Sequence, residues 1–228
     1  MTYLVKICGN MYFEDSMMVA ECQPDFMGWI FSPKSPRQVT AEDVVPSIIK
    51  IRLKYPEILH AAVFAENSAE EILNIMKTGH FDMMQLVAEG EFPGKMNTIM
   101  EESNLYTSEI HDFAGKIRSR RPIFCPALRI REKTQDKDIL STGNFPLYIL
   151  DSYVAGKPGG TGKSLNTEYI QNITLPYLLA GGLKPENVKS SLLSCSAIGA
   201  DVSSGIEDSP GRKNREKLET FITTVRSI

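Results

Sequence analysis

The chain has 228 residues, 42% of them hydrophobic and 23% charged, with a net charge of −3. That length is enough for one large buried core, and the absence of a basic excess argues against nucleic acid as a partner. No apolar run approaches the roughly 18 residues of a membrane span, so no membrane association is expected.

The start, MTYLVKICGN, lacks a charged leader followed by a long apolar region, which predicts no secretory signal and a cytoplasmic protein. The four cysteines, Cys8, Cys22, Cys125 and Cys195, are scattered with no CxxC pair. That pattern predicts neither a zinc site nor a disulfide framework, and leaves Cys8 free in a reducing compartment.

In chain order, short apolar runs predict strands at 3–7, 26–31, 60–65, 82–87, 123–130, 147–151, 176–180 and 197–203. Helical patterns lie between most of them. EDSMMVAEC opens on acidic residues. The stretch TAEDVVPSIIKIRLKY has Thr40 as its N-cap, with Glu42 and Asp43 in the first turn. Ser68 and Glu71 predict a capping box for a helix that stops at Gly79. Pro185 predicts a helix start in KPENVKSSLL, and Leu218, Phe221, Ile222 and Val225 form the stripe of a last helix.

Eight strands alternating with helices imply parallel strands joined by right-handed crossovers. One unit per about 28 residues is near the roughly 31 of a 250-residue (β/α)8 TIM barrel. A doubly wound sheet is the alternative, but its glycine fingerprint belongs after the first strand, where only Gly9 stands. The reading is a single barrel domain over 1–228, with a possible insertion within 88–122. The basic RSRRP at 118–122 reads as a solvated helix end.

Glycines gather after the late strands, in GKPGGTGKS (156–164), AGGLKPENV (180–188) and SSGIEDSPGRKN (203–214). Backbone amides unobstructed by Cβ atoms hold phosphate, which barrels commonly bind after strands seven and eight.

Strand alternation places Lys6 and Cys8 on one face, opposite Val5 and Ile7. With Val5 and Ile7 against the helices, Lys6 and Cys8 enter the barrel, where a lysine needs a partner. Asp151 ends strand six, and Asp201 lies on strand eight. Cys8 is either a packed thiol or a proton-transfer group at a strand end. Asp151 is either a turn cap or an acid, and Asp201 either ties down backbone amides or joins the chemistry. A lysine beside Cys8 is expected to draw the thiol pKa toward neutrality. Arg37, set between two prolines in SPKSPRQV, is either a surface arginine or a clamp for a carboxylate.

The chain resembles the phosphoribosylanthranilate isomerase family of tryptophan biosynthesis. The matching pieces are KICG (6–9), GWIFSPKSPRQV (28–39), MQL (84–86), LD followed by GGTGK (150–163), LAGGLKPENV (179–188) and DVSSGIEDSPGRKN (201–214). The resemblance implies an Amadori rearrangement of N-(5-phosphoribosyl)anthranilate to 1-(2-carboxyphenylamino)-1-deoxyribulose 5-phosphate, with no cofactor or metal. It implies Cys8 as general base and Asp151 as general acid. Arg37 would hold the anthranilate carboxylate, with phosphate near Gly160, Gly182, Ser204 and Gly205. Lys6 and Asp201 complete the expected substrate-binding set. The implied partner is a small phosphosugar, and the chain a monomer or homodimer. Two departures stand out: the family's usual His-Gly after QL is Val87-Ala88, and its usual aspartate after PG-K is Asn214. A histidine-pathway phosphosugar isomerase would be expected to carry two aspartates and an internal repeat, and Cys8 argues against it. A barrel that binds a phosphosugar without turnover would not need to keep acid, base and clamp together.

Overall fold

The computed structural model describes residues 2–88, 98–99, 109–111, 117–119, 122–152 and 165–228. Gly160, the GGTGK motif and most of the predicted insertion within 88–122 lie outside these residues.

Eight parallel strands close into a barrel: β1 (Leu4–Ile7), β2 (Phe26–Ile30), β3 (Leu59–Phe64), β4 (Met83–Val87), β5 (Ile123–Ile130), β6 (Tyr148–Ser152), β7 (Tyr177–Leu179) and β8 (Gly199–Val202). Each pairs with its sequence neighbours, and β1 pairs with β8 to close the ring. Each predicted strand is found, with ends shifted by at most two residues. The helices are α1 (Phe13–Glu21), α2 (Ala41–Lys54), α3 (Ala69–Met76), α4 (Asp136–Leu140), α5 (Val188–Leu193) and α6 (Arg215–Arg226).

Period-two alternation sorts each strand into two cores. Val5, Ile7, Met27, Trp29, Ala62, Phe64, Leu150, Leu179, Ala200 and Val202 face the helices, in one continuous buried cluster. Phe26, Ala61, Met83, Cys125, Leu147 and Leu178 form a second cluster that fills the barrel interior. Interior side chains of this kind make a barrel a packed core rather than a pore.

Local chemistry fixes the helix ends. Thr40 accepts from the Asp43 amide, and Ser68 and Glu71 form the reciprocal capping box. The predicted start of α5 at Pro185 is displaced. Pro185 lies in the preceding turn and the helix begins at Val188, because the Asn187 side chain accepts from the Lys184 amide and donates to the Gly182 carbonyl, holding that turn out of the helix. Asn214, the departure from the family aspartate, caps α6 by accepting from the Lys217 amide at 3.0 Å. Helix α6 buries Leu218, Phe221, Ile222 and Val225, worth roughly 1.5–3 kcal/mol per large side chain. Its Arg226 donates to the Tyr3 carbonyl and to Asp25, which also accepts from the Val5 amide. The last helix is thereby tied to the first strand.

Candidate active site

The C-terminal ends of the strands surround one cavity. Cys8, Arg37, Asp151, Asp201, Gly182 and Ser204 all line it. The topology explains the meeting. Cys8 follows β1, Asp151 lies within β6, and Asp201 lies within β8 beside β1, so residues far apart in sequence share one mouth.

Lys6 and Asp201 are register partners across the β1–β8 seam, and their side chains meet at 2.9 Å. Lys6 is fully buried. Burial opposes its charge, but the Asp201 carboxylate and the neighbouring Cys8 hold its pKa above the ordinary lysine value. Lys6 is not one of the residues lining the cavity; it stands behind Asp201 as its counterion.

The Cys8 thiol departs from expectation. Burial pushes its pKa above the ordinary value, and Lys6 and Lys213 offset only part of that rise. The expected lysine does pull the thiol pKa down, but burial outweighs it and the Asp201 carboxylate adds to the rise. Space for the sulfur comes from Gly28 on β2, where a Cβ would lie 2.7 Å from Sγ. At that separation something must shift, so the residue beside the thiol has no side chain.

Asp151 is pushed up to about 6, first by burial and further by Asp201, against the Ser152 amide and Arg129, which hold it down. Its Oδ1 accepts from the Ser152 amide at 2.7 Å. It thus retains a proton at pH values where an ordinary aspartate is ionised.

Arg37 is buried, not a surface arginine, and its guanidinium is held by Glu207. Nε donates to both carboxylate oxygens at 3.0 and 2.9 Å, and Nη2 to Oε2 at 2.6 Å. The same carboxylate receives the Lys213 ammonium at 2.7 Å, and Lys213 also donates to the Cys8 carbonyl at 2.6 Å. Arg37 and Cys8 are therefore joined through Glu207 and Lys213. Burial would raise the Glu207 pKa, but its two cationic partners keep it below the usual carboxylate range.

Beside this group, Gly181, Gly182, Ser203 and Ser204 line the cavity from the loops after β7 and β8. The two loops touch at Gly205, where a Cβ would collide with the Leu183 carbonyl. Three cavity-lining side chains carry a buried polar atom with no partner among the described residues: Gln85 Oε1, Asp201 Oδ1 and Ser203 Oγ. Such atoms can pair with a ligand's hydroxyl or amide.

Four of these residues escaped the sequence reading: Arg129, Glu207, Lys213 and Gln85. Arg129 was within reach, because it continues the interior alternation of Cys125 and Ala127. Glu207 and Lys213 carried only a motif signal, within SSGIEDSPGRKN. Among the described residues no group of three His, Cys, Asp or Glu side chains could hold a metal, and no helix is long and apolar enough to cross a membrane.

The family model for N-(5'-phosphoribosyl)anthranilate (PRA) isomerase matches residues 5–224. The chain belongs to the phosphoribosylanthranilate isomerase family. An N-(5'-phosphoribosyl)anthranilate isomerase of Leptospira borgpetersenii is 31% identical over 226 residues, covering 97% of this chain and 94% of its relative. That of Acetivibrio thermocellus is 31% identical over 225 residues, with 97% and 95% covered. Among solved structures, the phosphoribosylanthranilate isomerase of Thermotoga maritima aligns with a TM-score of 0.75 and 26% identity over 100% of both chains. Another, at 25% identity and a TM-score of 0.73 over 100% of both chains, is an isomerase in complex with reduced 1-(o-carboxyphenylamino)-1-deoxyribulose 5-phosphate. Against this family background Val87 and Ala88 are not neutral. Val87 lines the cavity, so the wall where the family usually has histidine is apolar here.

Proposed function

We propose that this chain converts N-(5-phosphoribosyl)anthranilate to the 1-deoxyribulose isomer in tryptophan biosynthesis, with Asp151 as general acid and Cys8 as general base. The observation that carries this reading is that both groups line one cavity with the glycine- and serine-rich loops after β7 and β8. Family membership supplies the substrate.

The chemistry follows from the groups. Asp151 gives its proton to the furanose ring oxygen as the C1–O bond breaks. The nitrogen lone pair moves into C1, forming a protonated Schiff base. That C=N is an electron sink, so the C2 proton becomes acidic enough for a thiolate to remove. The electrons of the C2–H bond pass toward nitrogen, and the resulting enolamine becomes the C2 ketone as C1 gains a proton and the C2 hydroxyl loses one. Each proton transfer is worth roughly 10² to 10⁴ in rate.

Phosphate is assigned to the amides around Gly182 and Ser204–Gly205, supported by the tight contact of those two loops. Asp201 Oδ1 and Ser203 Oγ are assigned to sugar hydroxyls, supported by their want of partners among the described residues. Arg37 is assigned to the carboxylate end, presented at a fixed angle by Glu207. All four cysteines are free, which supports a reducing cytoplasm, where Cys8 stays usable as a base.

The test is a fluorescence assay following loss of phosphoribosylanthranilate with purified protein. Turnover is expected for the native chain and a fall of at least about a hundredfold for Cys8→Ala and for Asp151→Ala. Near-native turnover in either variant removes that residue's role.

A further inference from the structure

The cavity has two chemically different ends. The loops after β7 and β8 bring glycines and serines, suited to phosphate. Across the mouth, Ile30, Val63, Val87 and Ala127 from β2 to β5 make an apolar wall, suited to an aromatic ring. Val87 and Ala127 are register partners, and Arg129 is the next residue of β5 on the same face, also lining the cavity. Its register partner on β6 is Asp151. A guanidinium therefore stands at the rim of the apolar wall, beside the acid.

The substrate read above carries a carboxylate on its ring. Arg37 lines the cavity too, with its Nε and Nη2 held by the Glu207 carboxylate. An aryl carboxylate leaving water for an apolar wall needs a cation close by. We propose that Arg129 is a specificity-determining residue of this isomerase, receiving the anthranilate carboxylate jointly with Arg37. This inference rests on the isomerase reading of the same site.

Arg129 also bears on Asp151 electrostatically, holding its pKa below the value that burial alone would give. A variant at 129 therefore alters the acid as well as substrate capture, and the experiment must separate the two. Steady-state kinetics of Arg129→Met and Arg129→Lys are compared on phosphoribosylanthranilate and on N-(5-phosphoribosyl)aniline, which lacks only the carboxylate. Any change in Asp151 affects both substrates, whereas a lost carboxylate contact affects only the first. The kcat/KM of Arg129→Met is expected to fall at least about tenfold further on the anthranilate than on the aniline, the scale of one charge-assisted pair. Arg129→Lys should recover part of that difference. Equal losses on both substrates, or native kinetics on the anthranilate, overturn the assignment. Circular dichroism confirms folding, and if the methionine variant does not fold, the lysine variant carries the same comparison. An inactive native protein overturns the isomerase reading itself, whereas an active one with equal losses overturns only the role of Arg129.

Discussion

Arg37 and Glu207, 170 residues apart in sequence, meet through three hydrogen bonds, the shortest 2.6 Å. Glu207 also takes Lys213, so one carboxylate balances two buried cations. Glu207→Gln leaves both cations without an anion. Removing one partner of a buried pair costs roughly 3–5 kcal/mol. Chemical denaturation should show a loss on that scale, and the KM for phosphoribosylanthranilate should rise, as is also expected for Arg37→Ala. Native stability together with native KM would show that the carboxylate neither balances nor positions these groups.

Gly28 and Cys8 make a second testable pair. A methyl group at 28 would sit 2.7 Å from the sulfur, 3.1 Å from Lys6 Nζ and 3.2 Å from the Cys8 Cα. Gly28→Ala is expected to cost about 1–3 kcal/mol through overpacking and to lower kcat by displacing the thiol. Its KM should change little, because Arg37 and the phosphate loops are untouched. A variant with native kcat would mean that the position of the sulfur is not critical.

Asp151 links stability to pH. Its folded pKa is about 6 against an ordinary 3.8, so the folded chain binds this proton more tightly than the unfolded chain. The stability contribution is complete below about pH 4 and is lost as pH rises through about 6. Asp151→Asn removes this loss. Thermal melts should show the variant more stable than the native chain at pH 7, by up to about 3 kcal/mol, with a flatter pH dependence between 4 and 7. Parallel melting curves for the two proteins over that range would contradict the elevated value.

The same two groups shape the kinetic pH profile. The active form needs Asp151 protonated and Cys8 ionised, although the acid titrates near 6 and the thiol above its ordinary value of 9.0. In free enzyme at neutral pH that form is fewer than about one molecule in a thousand. Between the two pKa values its abundance is constant, because one fraction falls as the other rises. A plot of kcat/KM should therefore be level from about pH 6 up to the thiol pKa and fall tenfold per unit below about 6. A steady rise from pH 6 to 8 would place the acid elsewhere.

The barrel was legible because period-two alternation and helix caps are written locally. Thr40, Ser68 and Leu218 each announce their element within four residues. Cys8, Asp151 and Asp201 could be placed at one mouth because strand order and parity determine which way a side chain points. The Cys8 pKa was misjudged because it depends on how deeply the thiol is buried: Lys6 was foreseen beside it, but not that burial would outweigh the lysine. The start of α5 was misplaced for a related reason. Pro185 favours a helix start, but the Asn187 side chain closes a turn that outweighs it. Glu207 and Lys213 were hidden because neither lies on a barrel strand, so parity says nothing about where they point.

Closure of the barrel has a consequence for synthesis on the ribosome. Lys6, Cys8 and Arg37 are translated more than 160 residues before the groups that neutralise or anchor them, Asp201, Glu207 and Lys213. Until then the nascent chain carries two cations destined for burial and a thiol whose carbonyl lacks its ammonium. A product stalled before Lys213 cannot assemble the working centre, so turnover in a cell extract counts only polypeptides extended past that residue.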